Sequence, residues 1–281
     1  MGKAVIKCAI TILLIVGPNS YVVGDEIQTT FQQAQAFFDN GDYRRTIELC
    51  QQLIARDPSY ASVYVLLAMA YDGLGQYRRA ISNYERGVAL NADFSIAYDH
   101  IGTDYDRLGE HEKAITYYAK VLEKYPNDQK IYYNMCIAYQ SLGRHQEALS
   151  HCQRAIELDP NYTEAYNNLG SVYGTIGQLD KAIASFKKVL EIDPGDYLAY
   201  NNLGFAYYST GQIERAIESH QKAIEINPGY AEAYSSLGGV YLSLDKPKEA
   251  KKYFLEAKKL FEQRNDHKNT RRLEDLLKSL P

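Results

Sequence analysis

Asn134, Asn168 and Asn202 stand 34 residues apart, and each side-chain amide offers both a donor and an acceptor. Aligned along one face, such amides could hydrogen-bond a peptide main chain without reading its side chains. Around them lie Tyr133, Asn167, Asn201, Phe205 and Tyr208, which add the broad aromatic contact area enriched in binding hot spots. A second group is acidic. Asp99, His100, Asp104 and Asp106 fall close together, with Asp72 one period earlier. Asp104 replaces the Ala36, Ala70, Ala138, Val172, Ala206 and Val240 of the other periods. Two readings stand: a patch that takes a basic peptide segment or a cation, and a partly solvated Asp that costs a little stability.

Metal and covalent chemistry find less support. His145, His151 and Cys152 share one predicted helix, but two adjacent residues cannot aim at a common ion, so no metal site is expected. There is no nucleophile elbow, phosphate loop or metal-ligand spacing. No cofactor is implied, and catalysis would require a second subunit.

The elements that carry these residues follow from a strict period. Tyr64, Tyr98, Tyr132, Tyr166, Tyr200 and Tyr234 recur every 34 residues, as do Tyr71, Tyr105, Tyr139, Tyr173, Tyr207 and Tyr241. A period of this size marks a stacked array in which each unit buries its apolar face against its neighbours. The phase divides the chain into units 27–60, 61–94, 95–128, 129–162, 163–196, 197–230 and 231–264. Within each, apolar or small residues keep helical spacing up to a Gly at place fifteen, with Asp245 as the exception. A second helix follows with Ala80, Ala114, Ala148, Ala182, Ala216 or Ala250 at place twenty, and Pro closes five units.

The series aromatic-x-x-Leu-Gly-x-x-Tyr, then Gly, Ala, an aromatic and Pro, resembles the tetratricopeptide repeat over residues 27–264. Tyr stands where that family often has Trp, and the chain has no Trp and 26 Tyr. The resemblance implies an all-α fold: an α-solenoid of seven antiparallel helix pairs in a right-handed superhelix. The first helix of each pair would line a concave groove. Residues 265–281, with Leu273, Leu276, Leu277 and Leu280 at helical spacing, read as a capping helix. The Asn series resembles the groove of the family's sugar-transferase members, whereas the lysines and asparagines of its carboxylate clamp find no consecutive match here. In this architecture Cys136 and Cys152, at places eight and twenty-four of one unit, face each other across a helix pair. They read either as a disulfide or as small buried hydrophobes.

Charge narrows the partner. The net charge of −4 argues against nucleic acid, which needs a basic stripe. Residues 245–278 are the exception, with eleven Lys or Arg against seven Asp or Glu. That run reads as a solvated cap or as a patch for anionic lipid or an acidic partner. At the other end, Lys3 and Lys7 precede the apolar run 9–16 and the breakers Gly17 and Pro18. Residues 1–24 therefore read as a secretory signal, with an uncleaved membrane anchor as the alternative. The expectation is an exported, non-enzymatic scaffold that binds a protein or peptide segment in its groove. The alternative is a docking or regulatory subunit of an envelope enzyme or secretion complex, with membrane contact through either end of the chain.

Overall fold

The computed structural model describes residues 25–91 and 95–280, so the expected signal or anchor, 1–24, lies outside the described residues. Among those described, every regular element is a helix. None of them is long and apolar enough to cross a membrane. The chain divides into two compact units, the first ending at Ala97 and the second beginning at Tyr98.

The first unit holds α1 (Asp25–Asp39), α2 (Tyr43–Arg56), α3 (Ala61–Gly73) and α4 (Tyr77–Leu90). α5 (Ser95–Arg107) opens across the boundary, and the second unit continues with α6 (His111–Lys124), α7 (Gln129–Ser141), α8 (His145–Leu158), α9 (Thr163–Thr175) and α10 (Leu179–Ile192). It ends with α11 (Tyr197–Ser209), α12 (Ile213–Ile226), α13 (Ala231–Ser243), α14 (Pro247–Gln263) and α15 (His267–Ser279).

Glycine stops the first helix of each pair because the next turn needs a left-handed residue. Gly41, Gly75, Gly109, Gly143, Gly177 and Gly211 all have φ between 70° and 77°. Asp245 adopts the same conformation at φ 56°, as an Asp tolerates better than a branched residue would. The second helix begins within a few residues and packs back on the first. Its Ala at place twenty is fully buried in all six pairs from α3–α4 onward, so backbones approach closely there.

The tyrosines do a different job. The first series is half-buried throughout, and in the second only Tyr71, Tyr173 and Tyr207 are buried. Cations from the second helix, or from its N-cap in the case of Arg144, lie over the remaining ring faces: Arg79 over Tyr71, Lys113 over Tyr105, Arg144 over Tyr139, Lys181 over Tyr173 and Arg215 over Tyr207, at 4.7–5.7 Å from the centroids. The rings are thus packed on one side and covered by charge on the other, an arrangement worth about 0.5–1 kcal/mol per pair at exposed sites.

Candidate functional site

The site grows out of one recurring contact. At place eight the first helix carries a very small residue, and the ring at place twenty-four of the second helix lies against its backbone. A Cβ added to Gly102 would come within 2.5 Å of the Tyr118 ring, to Gly170 within 2.6 Å of Phe186, and to Gly238 within 2.7 Å of Phe254. Three pairs fill this slot otherwise, the first of them, α1–α2, with Ala34 and the free, buried Cys50. In α7–α8 both residues are cysteines, and Cys136 is bonded to Cys152 with the Cα atoms 5.2 Å apart. In α11–α12 the ring is the imidazole of His220, whose atoms would lie 2.6–2.8 Å from a Cβ on Gly204.

His220 is fully buried, and its Nδ1 lies 3.0 Å from Oδ1 of Asn201. Burial pushes its pKa down to about 4, so the ring is neutral near pH 7. Nδ1 then donates to the Asn201 oxygen, which leaves Nε2 as a bare acceptor, and Nε2 has no partner. An unmet buried acceptor costs about 1–3 kcal/mol. The Phe205 ring stands edge-on to the imidazole, centroids 5.3 Å apart and planes at 82°.

Two open cavities flank Phe205. One, of about 420 Å³, is lined by Phe205, Tyr208, His220, Ser235, Ser236, Gly239, Val240 and Arg272. The other, of about 340 Å³, includes Ser171, Gly174, Thr175, Asn202, Phe205 and Ser209 in its lining. Phe205 is 51% exposed and Tyr208 39%, a large apolar area to leave in water on one helix. The residues come from the first helices of successive pairs, from α15 and, on second helices, from His220 of α12 and Leu179, Ala182 and Phe186 of α10. Because α14 is three residues longer than α12, α15 starts at His267 instead of residue 265, two later than the period. Arg272 is consequently the sixth residue of its helix, as are His100, Asn134, Asn168, Asn202 and Ser236 of theirs. The amide series thus ends in a guanidinium.

The structure separates the asparagines foreseen as one surface. Asn202 lines the smaller cavity, and Asn134 and Asn168 are half-buried. The Asn168 amide donates a hydrogen bond to the Tyr133 hydroxyl, and the Tyr133 ring packs 5.1 Å from Tyr162. Asn167 donates to Asp196 Oδ2 at 3.1 Å, while Asp196 also caps α11 through the Ala199 N–H. Asn201 is only 3% exposed and turns inward to His220. Asn201 is therefore turned into the seam between α11 and α12, away from the groove.

The acidic group likewise divides. Asp104 is fully buried, with Arg107 Nη1 3.4 Å from Oδ1. Asp106 accepts from the Tyr118 hydroxyl and meets His111 Nδ1, both at 2.9 Å, and burial raises its pKa against the pull of those partners. Asp99 is bridged to Lys130 at 2.8 Å. His100 is half-buried, and Asp72 belongs to the first unit. These side chains do not form an open acidic patch, because the second unit turns each of the three carboxylates toward its own cationic or hydroxyl partner. Among the described residues, no group of three His, Cys, Asp or Glu side chains could hold a metal ion.

His220, Ser235, Ser236 and Arg272 escaped the sequence reading. A signal for His220 existed: it occupies the aromatic phase of Tyr84, Tyr118, Phe186 and Phe254. Arg272 was hidden by the two-residue shift of α15.

Family comparisons agree with this geometry. Models described as tetratricopeptide repeat match residues 37–100, 95–128, 129–195, 185–218 and 231–264, and one described as TPR repeat matches 206–245. The chain belongs to the tetratricopeptide-repeat family. Among solved structures, MamA is 31% identical over 59% of this chain and 98% of its own, with a TM-score of 0.53. MamA from Desulfovibrio magneticus RS-1 is 30% identical over 60% and 96%, TM-score 0.54. YrrB, described as a TPR protein with an unusual peptide-binding site, is 28% identical over 66% and 95%, TM-score 0.53. A tetratricopeptide repeat protein from Parabacteroides merdae shares the fold over 91% of this chain and 98% of its own, at 19% identity and a TM-score of 0.73. No curated protein matches the chain.

Proposed function

We propose that this tetratricopeptide-repeat protein is a non-enzymatic scaffold that holds a peptide segment of a partner protein along α9, α11 and α13. The observation that carries the reading is Phe205, half exposed between two cavities, with Tyr208 one turn on and Asn202 one turn back. Aromatic side chains lose little entropy on binding and tend to anchor interfaces. Asn202 adds an amide able to pair with a main chain. The description of YrrB as having a peptide-binding site supports the same use of the fold.

Export is part of the proposal. The Cys136–Cys152 bond supports it, since disulfides persist in oxidising compartments, and Lys3 and Lys7 before an apolar run support it independently.

The test places a photocrosslinking residue at Tyr208 and, separately, at the more exposed Tyr125. Peptides selected on the full chain from a random library should crosslink through the first and not the second. Equal crosslinking at both positions removes the groove from consideration.

A further inference from the structure

The larger cavity has features that a general main-chain groove does not need. Its floor is apolar, from Phe205, Tyr208 and Val240, while Arg272 supplies a full positive charge at the wall. No carboxylate lines it. Arg272 is exposed and makes no ion pair among the described residues, in contrast to Arg264, which is bound by Glu232 at 2.7 Å. Lys268 and Arg271 are exposed on the same helix and extend the positive charge. His220 is neutral and adds none. Its orphaned Nε2, fully buried at the cavity wall behind Phe205, is an acceptor that still lacks a donor.

We infer that this cavity binds an acidic peptide segment through an aromatic anchor. The aromatic side chain packs against Phe205 and Tyr208, and a carboxylate one or two residues away meets Arg272. Charge complementarity selects the acidic class: a bare guanidinium in a concave, carboxylate-free wall attracts carboxylates and rejects lysine. Nε2 selects a peptide over a free anion, because a peptide brings N–H donors when Phe205 turns aside, whereas a carboxylate would place a second acceptor there. Arg272 lies on α15, so the terminal helix completes the site besides capping the stack. This inference rests on the groove reading above and adds to it the chemistry of the partner.

The experiment measures fluorescence anisotropy of short labelled peptides with the full chain. One peptide carries a central Phe followed by two Asp, a second replaces both Asp with Lys, and a third replaces the Phe with Ala. The acidic aromatic peptide should bind at least about tenfold more tightly than either other, with an affinity that falls as salt rises. Arg272→Glu should reverse the preference between the Asp and Lys peptides, and Arg272→Gln should abolish it. Equal binding of the Asp and Lys peptides to the wild type, or an unchanged preference in Arg272→Glu, overturns the assignment. If Phe205→Ala still abolishes binding in that case, the groove stands without the acidic preference. If Phe205→Ala also changes nothing, both readings fall.

Discussion

Asn201 and His220 face each other across the α11–α12 hairpin, Oδ1 to Nδ1 at 3.0 Å, in a slot that neighbouring pairs fill with a phenol or phenyl ring. A polar pair has been placed where the repeat needs only a ring, next to the most exposed aromatic of the groove. Replacing one member alone leaves the other buried and unpaired. His220→Phe is thus expected to be neutral to about 1 kcal/mol destabilising, and His220→Phe with Asn201→Leu at least as stable as the wild type. Urea unfolding of the wild type, His220→Phe, Asn201→Leu and the double variant checks this through the non-additivity of the two changes.

The same imidazole gives stability a pH dependence. Its folded pKa is about 4, below the ordinary value of 6.5. The unfolded chain therefore binds the extra proton first, and the contribution of neutral His220 is complete above about pH 6.5 and is lost as pH falls toward 4. The shift corresponds to about 3 kcal/mol. His151 is shifted downward by burial as well, so the informative quantity is the difference between wild type and His220→Phe. The urea midpoint of the variant should fall less steeply between pH 6.5 and 4.

Reduction should loosen the second unit. Cys136 and Cys152 close a loop with a sequence separation of 16, for which constraint of the unfolded chain is worth about 3 kcal/mol. Unfolding with and without a reductant measures it. Cys136→Gly with Cys152→Phe, which copies the Gly170–Phe186 pair, should recover part of the loss without any thiol. Thiol titration of the unreduced, denatured protein adds a reading of processing. One thiol, Cys50, is expected if residues 1–24 have been removed, and two if Cys8 remains.

Asp104 separates structural from ligand-binding acid. Other periods have Ala or Val at its place, so Asp104→Ala is expected to be neutral or stabilising. Arg107→Ala leaves the buried carboxylate without its guanidinium and should cost about 2 kcal/mol, discounted because Arg107 is half exposed. Equal destabilisation by both would contradict this account of the pair.

The sequence made the fold legible because the 34-residue period fixes each residue's place, and a place fixes burial. Gly211 and Ala216 could be assigned from phase alone, and the structure has them as a left-handed helix stop and a fully buried contact. The site was legible only in part. Asn201 and Asn202 are adjacent and of one type, yet the helix turns the first into the seam and the second toward the cavity. Which of the two faces outward depends on a shift of one residue, about 100° of helix rotation. The role of Arg272 depends on the extra length of α14, a departure from the period that no repeat pattern encodes.

The central claim is that Phe205 and Tyr208 bind a partner peptide and do not hold the fold together. The most direct test is the affinity of a library-selected peptide for the double variant Phe205→Ala and Tyr208→Ala, measured by calorimetry beside the urea midpoint of each protein. Binding should weaken by at least about tenfold with the midpoint nearly unchanged, since both side chains are exposed. Unchanged affinity in a folded double variant would contradict the account.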